Sequence, residues 1–157
     1  MAQTSAGVLL WRAAERPAAV EVLIVHPGGP FWANKNEGAW SIPKGEFSPD
    51  DEDGDTAAAR EFEEELGSPL PEGPRIELGE TRLKSGKRIL AWAVEGDLDA
   101  GAIVSNTFEL QWPPRSGRTI TVPEVDEARW VSPDEAAELL NAAQVVFVER
   151  LLAALAS

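Results

Sequence analysis

The stretch of residues 43–67, PKGEFSPDDEDGDTAAAREFEEELG, constrains the fold more than any other segment of the chain. Its three consecutive alanines are strong helix formers, and an aspartate before them, Asp53 or Asp55, is a suitable N-cap. Gly67, followed two residues later by Pro69, is a typical helix end. The pattern therefore predicts one helix that begins in an acidic loop and ends at Gly67.

Three carboxylates share one face of this predicted helix. Glu61, Glu64 and Glu65 are spaced i, i+3 and i+4, so they project on the same side. Like charges at these spacings destabilise an isolated helix by roughly 0.2–0.5 kcal/mol per pair. Either water screens them on an exposed surface, or divalent cations neutralise them. Another side of the helix collects the side chains that can pack on a core, namely Ala58, Ala59, Phe62 and Leu66.

The whole stretch resembles the Nudix box, which joins a glycine turn to an Arg-Glu-x-x-Glu-Glu-x-Gly run. Gly45 stands at the first glycine of the box, and the loop after it is one residue longer than the pattern. Counting forward from Gly45 places the loop glutamate at Asp51, whereas counting back from Arg60 places it at Glu52, which we favour. The residues in register with the second half of the box are Arg60, Glu61, Phe62, Glu64, Glu65 and Gly67.

The resemblance implies an α/β protein with the Nudix fold, in which a mixed β-sheet is sandwiched between α-helices. A length of 157 residues suits a single domain spanning residues 1–157. The implied activity is magnesium-dependent hydrolysis of a phosphoric anhydride, the diphosphate linkage of a nucleoside diphosphate derivative. The stretch through AWSIPKGEF is similar to NTP pyrophosphohydrolase-like Nudix proteins and, in its PKG turn, to diadenosine tetraphosphate hydrolases. Nucleoside triphosphates and dinucleoside polyphosphates are therefore the expected substrates.

The resemblance also assigns roles to individual residues. The implied metal ligands are Glu61, Glu64, Glu65 and the Gly45 carbonyl, binding Mg²⁺ with Mn²⁺ as the alternative ion. Oxygen ligands of this kind suit a hard cation. The implied catalytic residues are Glu65, Glu64, Arg60 and Glu124.

Two of these catalytic roles have further reasons in the sequence. Arg60 points away from the ligand face, so we expect its guanidinium fork to orient Glu52 or a ligand carboxylate. Glu124 stands just before a predicted strand at 128–131, where similar Nudix enzymes place an extra glutamate, and Glu127 is the fallback. The general base is then Glu65 or Glu124. An exposed acidic loop is the alternative interpretation of Glu124.

Three residues are expected to contact the substrate. Lys44 lies in the glycine turn, Trp32 in a long Pro- and Gly-rich loop, and Arg115 in the turn-rich PPRSGR segment. Loops this long are often functional, so Trp32 either stacks on a base or covers the core. Lys84, Lys87 and Arg88 form a basic cluster at a predicted hairpin turn. The single histidine, His26, suits a structural or solvated role better than a catalytic one.

The composition excludes several classes of protein. A net charge of −13 and a pI near 4.4 disfavour extended contact with nucleic acid, which needs a basic surface. With no cysteine, the chain has no disulfide, thiolate zinc site or cysteine nucleophile. No basic region precedes the first apolar run, and no stretch approaches the roughly 18 apolar residues of a membrane span. We therefore expect a cytoplasmic protein that binds a small nucleotide and no membrane.

The remaining pattern predicts strands and two C-terminal helices. A Ser-Pro-Asp-Glu capping box at 132–135 opens a helix that reaches about Leu140. The amphipathic segment 144–156 predicts a helix packed on the domain, with a homodimer interface as its alternative use. The predicted strands are residues 5–12, 20–25, 40–42, 76–84, 87–94, 108–112 and 128–131. Two other functions stay open: a catalytically weak nucleotide-sensing or partner-binding module, and a structural protein whose acidic helix is merely solvated.

Overall fold

The computed structural model describes residues 3–14 and 19–157. Within them the chain forms a mixed six-stranded sheet, a separate two-stranded ribbon and three α-helices. The strands are β1 (Thr4–Ala13), β2 (Val20–Pro27), β3 (Lys44–Glu46), β4 (Arg75–Arg82), β5 (Arg88–Glu95), β6 (Thr107–Gln111), β7 (Thr119–Pro123) and β8 (Val125–Val131). The helices are α1 (Gly54–Leu66), α2 (Pro133–Leu139) and α3 (Val145–Ala156).

The sheet is built around β1, which is apolar enough to be buried on both faces. The strand order is β4-β5-β1-β2-β8, and β3 pairs with β1 near its beginning. β1 runs parallel to β5 and antiparallel to β2 and β3, so the sheet is mixed as predicted. The remaining pair, β6 and β7, forms the ribbon outside this sheet.

Helices cover both faces of the sheet, which confirms the predicted sandwich. Three of the α1 side chains that the sequence placed toward a core, Ala58, Phe62 and Leu66, are buried and pack on Ala6, Val8 and Leu10 of β1. The fourth, Ala59, is only half-buried, and Ala57 lies in the core instead. On the other face, the core includes Leu9, Trp40, Leu140, Phe147, Val148 and Leu151. Alternate β1 residues thus serve the two layers, as the period of a strand requires.

Two strand predictions need correction. Residues 40–42 make only isolated bridges, from Ser41 to Val25 and from Trp40 to Leu140, and the strand of this segment is Lys44–Glu46. Pro43 has no backbone N–H, so a ladder through it is interrupted. The strand Thr119–Pro123 was not predicted, because its short TITVP run gains its structure by pairing with β6.

The other predicted elements are present with shifted ends. Residues 5–12 and 20–25 lie in β1 and β2, which pair antiparallel, and part of their connection falls outside the described residues. The predicted capping box opens α2, with Ser132 and Glu135 bonded reciprocally. None of the helices seen in residues 3–14 and 19–157 combines the length and the apolar content needed to cross a bilayer.

Candidate active site

A cavity of about 570 Å³ opens where the beginning of β1, the end of β2, β3 and the last turns of α1 meet. The β4–β5 turn and the segment that leads into β8 close its other sides. Its lining residues are Ser5, Val25, Pro27, Ser41, Ile42, Lys44, Gly45, Glu46, Glu61, Glu64, Glu65, Leu83, Lys87, Asn106, Glu124 and Val125. Five glutamates and two lysines therefore face the same space.

The three predicted ligand carboxylates reach the cavity because α1 places its apolar side on the sheet. Glu61 is only 9% exposed, and Gly45 of β3 lies directly against it: a methyl group at Gly45 would overlap the Glu61 carboxylate. Glu65 is half-buried and accepts a hydrogen bond from the backbone N–H of Lys44 at 3.1 Å. Glu64 is more exposed. The glycine turn and the helix are thus packed together as one unit.

Arg60 pairs with the loop glutamate that the sequence favoured. Its Nη2 lies 2.7 Å from Glu52 Oε1 and its Nε lies 3.1 Å from Glu52 Oε2, a bidentate contact. The same guanidinium donates through Nη1 to Glu61 at 2.9 Å and to Glu64 at 3.2 Å. These bonds raise the pKa of Arg60 and lower that of Glu52. Arg60 therefore connects the acidic loop to two of the predicted ligands.

Burial and crowding of like charges disfavour ionised carboxylates here. Burial raises the pKa of Glu65 to about 8, with the charges of Glu61 and Glu124 adding to the rise and Lys44 opposing it. Burial also raises the pKa of Glu61, and the neighbouring Glu64 contributes. Burial lowers the pKa of the Lys44 amine. Arg60 compensates only part of the negative charge of this cluster, which favours binding of a cation.

Residues 1–151 match the family model described as the NUDIX domain. The chain belongs to the Nudix family. As a member of this family, it is a pyrophosphohydrolase, an enzyme that cleaves phosphoric anhydrides. No curated protein matches the chain.

Solved structures of Nudix proteins share its fold across nearly the whole chain. A Caenorhabditis elegans Ap4A hydrolase in a binary complex is 18% identical, with a TM-score of 0.65 over 97% of this chain and 98% of the hydrolase. The NUDIX domain of Shewanella oneidensis NrtR, complexed with ADP ribose, is 12% identical, with a TM-score of 0.64 over 99% of this chain and 89% of that domain. The MutT protein of Methanosarcina mazei Go1 is 22% identical, with a TM-score of 0.59 over 99% and 96% of the two chains.

The donor atoms of this Nudix site suit a hard divalent cation, although their present arrangement does not enclose one. In the part of the chain that the structure describes, no three acidic or histidine side chains converge to hold an ion. Ion pairs with Arg60 hold the carboxylates of Glu61 and Glu64, and the Lys44 N–H holds Glu65. All the available ligands are oxygens, which is the chemistry that Mg²⁺ prefers. A cation can be bound once Glu61 and Glu64 exchange Arg60 for it.

Glu124 and Lys44 both line the cavity, whereas Trp32 and Arg115 do not. Glu124 is placed by the backbone: its N–H donates to Asn106 O at 2.9 Å and its carbonyl accepts from Gly28 at 3.1 Å. Trp32 instead packs against Phe31, and Arg115 sits in the ribbon turn with a positive φ of 62°. Their predicted contacts with substrate therefore stay predictions.

Lys87 and Asn106 are among the lining residues that were not predicted as site residues. Lys87 had been noted only as part of the basic cluster at the hairpin turn, which was the available signal. Asn106 carries no signal in the sequence. Its backbone N–H donates to the Glu64 carbonyl at 3.0 Å, and Val104 N–H donates to the Leu66 carbonyl at 3.1 Å. The open C-terminal end of α1 thus draws this segment into the site.

Proposed function

We propose that this Nudix protein hydrolyses a nucleoside triphosphate or a dinucleoside polyphosphate at a diphosphate linkage, with Mg²⁺ as cofactor and Mn²⁺ as the alternative ion. One observation carries the proposal: Glu61, Glu64, Glu65 and Glu124 line a single cavity with two lysines. A structural protein gains nothing from placing Glu61 and Glu65 side by side in a partly buried site, since like charges repel and burial of a carboxylate costs free energy. The acidic cluster is therefore better explained by a bound cation than by solvation.

The proposed ligands are the carboxylates of Glu61, Glu64 and Glu65 and the backbone carbonyl of Gly45. Glycine at position 45 leaves room for the Glu61 side chain beside β3. Magnesium, when bound, offsets the negative charge of the diphosphate, polarises a phosphoryl oxygen and promotes ionisation of the attacking water. Arg60 keeps its bidentate contact with Glu52 and orients the acidic loop against the helix.

A carboxylate of the site accepts the proton of the attacking water. The water oxygen forms a new bond to phosphorus, the bridging oxygen leaves with the departing phosphate, and the proton moves to Glu65 or Glu124. Glu65 suits this role because its carboxylate lines the cavity beside the other proposed ligands and is held in place by the Lys44 N–H. Glu124 suits this role because it lines the same cavity from the segment that leads into β8, whereas Glu65 lies on α1.

The lysines are proposed to hold phosphate groups outside the reacting centre. Lys44 lines the cavity with a half-buried side chain. Among the described residues, the ion-pair partner of Lys87 is Glu46 at a long distance of 3.4 Å, so the Lys87 amine can turn toward a ligand. Two cations beside the acidic cluster favour substrates with a chain of phosphates. Trp32 and Arg115 are proposed to contact the parts of the substrate that extend out of the cavity.

The test is nucleotide or phosphate release by wild type and by Glu65→Gln, with and without Mg²⁺. The panel contains nucleoside triphosphates, dinucleoside polyphosphates, ADP-ribose and other nucleoside diphosphate sugars. We expect turnover that requires Mg²⁺ and falls by roughly 10³-fold or more in Glu65→Gln, because a ligand and candidate base is removed. Glu63→Gln is the matched control, since Glu63 is an exposed glutamate of the same helix that does not line the cavity.

A catalytically weak nucleotide-sensing module is the second candidate. The observation that favours it is that Arg60 already holds two of the ligand carboxylates. The NUDIX domain of NrtR, which shares the fold, is bound to ADP ribose in its crystal structure. Nucleotide binding by wild type without turnover on any member of the panel would favour this candidate and overturn the hydrolase proposal.

A further inference from the structure

The single histidine of the chain has an unusual environment beside the cavity. His26 lies near the end of β2, one residue before the cavity-lining Pro27, and is only 5% exposed. Its Nδ1 lies 2.8 Å from Asp126 Oδ1, and its Nε2 lies 2.6 Å from the backbone carbonyl oxygen of Lys35. The ring also contacts Trp40, with 5.1 Å between the ring centroids. Every polar atom of this buried side chain therefore has a partner.

Both partners of His26 are hydrogen-bond acceptors. A carboxylate oxygen lies at Nδ1 and a carbonyl oxygen at Nε2, so each ring nitrogen has an acceptor within hydrogen-bond distance. Asp126 reaches the ring from β8. The other charged groups near this ring are Glu127, the strand partner of His26, and Arg129, whose guanidinium lies 4.6 Å from the Trp40 ring.

Backbone hydrogen bonds fix both ends of the loop of residues 28–39. At its first residue, the Gly28 N–H donates to the carbonyl of Glu124 at 3.1 Å, and near its end the Gly38 N–H donates to the carbonyl of Glu138 at 3.1 Å. Between them, the Lys35 carbonyl is held by His26, which is itself bonded to Asp126, two residues after Glu124. His26 therefore fixes the middle of the loop.

The held loop presents an aromatic cluster, formed by Phe31, Trp32 and Lys35. The two rings meet edge to face with 4.9 Å between centroids, and the Lys35 amine lies 3.4 Å from the centre of the Phe31 ring. Phe31 is 57% exposed, the most exposed aromatic side chain in the described ranges. Lys35 therefore links His26 to the aromatic cluster, because its backbone carbonyl binds His26 and its side-chain amine lies over the Phe31 ring.

The cavity itself offers no aromatic surface for a base. Within residues 3–14 and 19–157, its lining consists of acidic, basic, small polar and aliphatic residues only. A nucleotide whose phosphates fill this space must place its base outside, and bases bind proteins by stacking on aromatic rings. The loop that bears Phe31 and Trp32 begins at the cavity rim, directly after Pro27.

We propose that His26 is a positioning residue, which holds the Phe31–Trp32–Lys35 cluster at the rim as the docking surface for the nucleoside part of the substrate. This inference rests on the proposed function. His26 touches neither the reacting phosphate nor the ligand carboxylates. Its loss leaves those groups and both ends of the loop in place and frees the middle of the loop, so nucleoside recognition weakens while phosphate binding does not.

The test compares a probe that contains a nucleoside with one that lacks it. Binding of adenosine 5′-(β,γ-methylene)triphosphate and of methylenediphosphonate, both with Mg²⁺, is measured by calorimetry for wild type, His26→Phe and Trp32→Ala. We expect both variants to bind the nucleotide roughly tenfold more weakly and the diphosphonate as wild type does. On a hydrolysable nucleotide, His26→Phe should raise KM by a similar factor with kcat within about twofold. His26→Gln, which retains one donor, should recover part of the affinity.

Two results would overturn the inference: unchanged nucleotide affinity in His26→Phe and Trp32→Ala, or equal weakening of both probes. Asp126→Asn keeps His26 and removes the carboxylate that lies at its Nδ1, so it supplies a second variant if His26→Phe does not fold. It is expected to weaken nucleotide binding and to leave diphosphonate binding unchanged. If wild type binds neither probe, the proposed function fails. If wild type binds both and the variants match it, only the role of His26 fails.

Discussion

At the scale of single residues, Glu65 is proposed to bind the metal ion, and the burial of its carboxylate costs stability when no metal is bound. Its carboxylate is half-buried beside Glu61 and Glu124, and its pKa of about 8 means that the metal-free folded state retains a proton that the unfolded chain gives up. When a pKa is higher in the folded state, stability is largest below the unfolded-state value and falls as pH rises toward the folded-state value. The ligand cluster should therefore make the metal-free protein pH-sensitive.

We predict that the free energy of unfolding of the metal-free protein decreases between about pH 5 and pH 8, because Glu65 must ionise in a buried site. Urea unfolding in the presence of EDTA measures it. In Glu65→Gln this decrease should be smaller, and the variant should be more stable than wild type at pH 8. The remaining slope is expected from Glu61, whose pKa is also raised.

The contact of Arg60 with Glu52 is a second feature at the residue scale, because the sequence alone does not show which loop carboxylate Arg60 binds. The loop of the box has one residue too many, so either Asp51 or Glu52 could have stood at the position of the family glutamate. In the structure Glu52 makes the bidentate contact with Arg60, and its match to the family glutamate stays a prediction. A count along the chain cannot show which carboxylate a guanidinium reaches.

At the scale of elements, α1 was the most predictable part of the molecule. Its boundaries, its core-facing side and its acidic side all follow from helical spacing and from the glycine at its end. Gly67 adopts a left-handed conformation with φ of 74°, and its N–H donates to the Glu63 carbonyl at 2.8 Å. A side chain there would also meet the backbone of Val104, in the segment that leads to Asn106.

We predict that Gly67→Ala lowers the free energy of unfolding by about 1–3 kcal/mol, because alanine is strained at this φ and meets the Val104 backbone. Chemical denaturation measures the change. Gly101→Ala is the control, since a methyl group there has only an ordinary contact at 3.4 Å with the Asp99 side chain. Turnover of the folded Gly67→Ala protein should stay within a few-fold of wild type. A loss as large as that of Glu65→Gln would contradict this separation of stability from chemistry.

The elements that sequence reasoning misplaced depend on pairing partners far along the chain. Residues 40–42 have the composition of a strand, yet the ladder with β1 forms at Lys44–Glu46, where Ser5 to Gly7 supply the partners. β7 is a strand because β6 lies beside it. The lining of the cavity also depends on contacts between distant parts of the chain. Lys87 comes from the β4–β5 hairpin and Asn106 from the loop before β6, and local sequence patterns do not show that these segments lie near α1.

At the scale of the whole molecule, the net charge of −13 and the acidic site both affect how the stability of the protein responds to magnesium. A chain so far from neutrality is destabilised by self-repulsion, and any salt relieves part of it by screening. A rise in stability on adding magnesium is therefore ambiguous, because it arises both from screening of the surface and from binding at the site. Matching the ionic strength separates the two effects.

We predict that MgCl₂ raises the melting temperature of wild type more than NaCl at equal ionic strength, because an ion bound only by the folded state adds its binding free energy to stability. The excess should disappear in Glu64→Gln and persist in Glu63→Gln. Both substitutions remove one negative charge from an exposed position of α1, but only Glu64 lines the cavity. Thermal unfolding followed by circular dichroism supplies the measurement. Coincident MgCl₂ and NaCl curves for wild type would mean that the carboxylates are simply solvated and would remove the basis for a metal-dependent hydrolase.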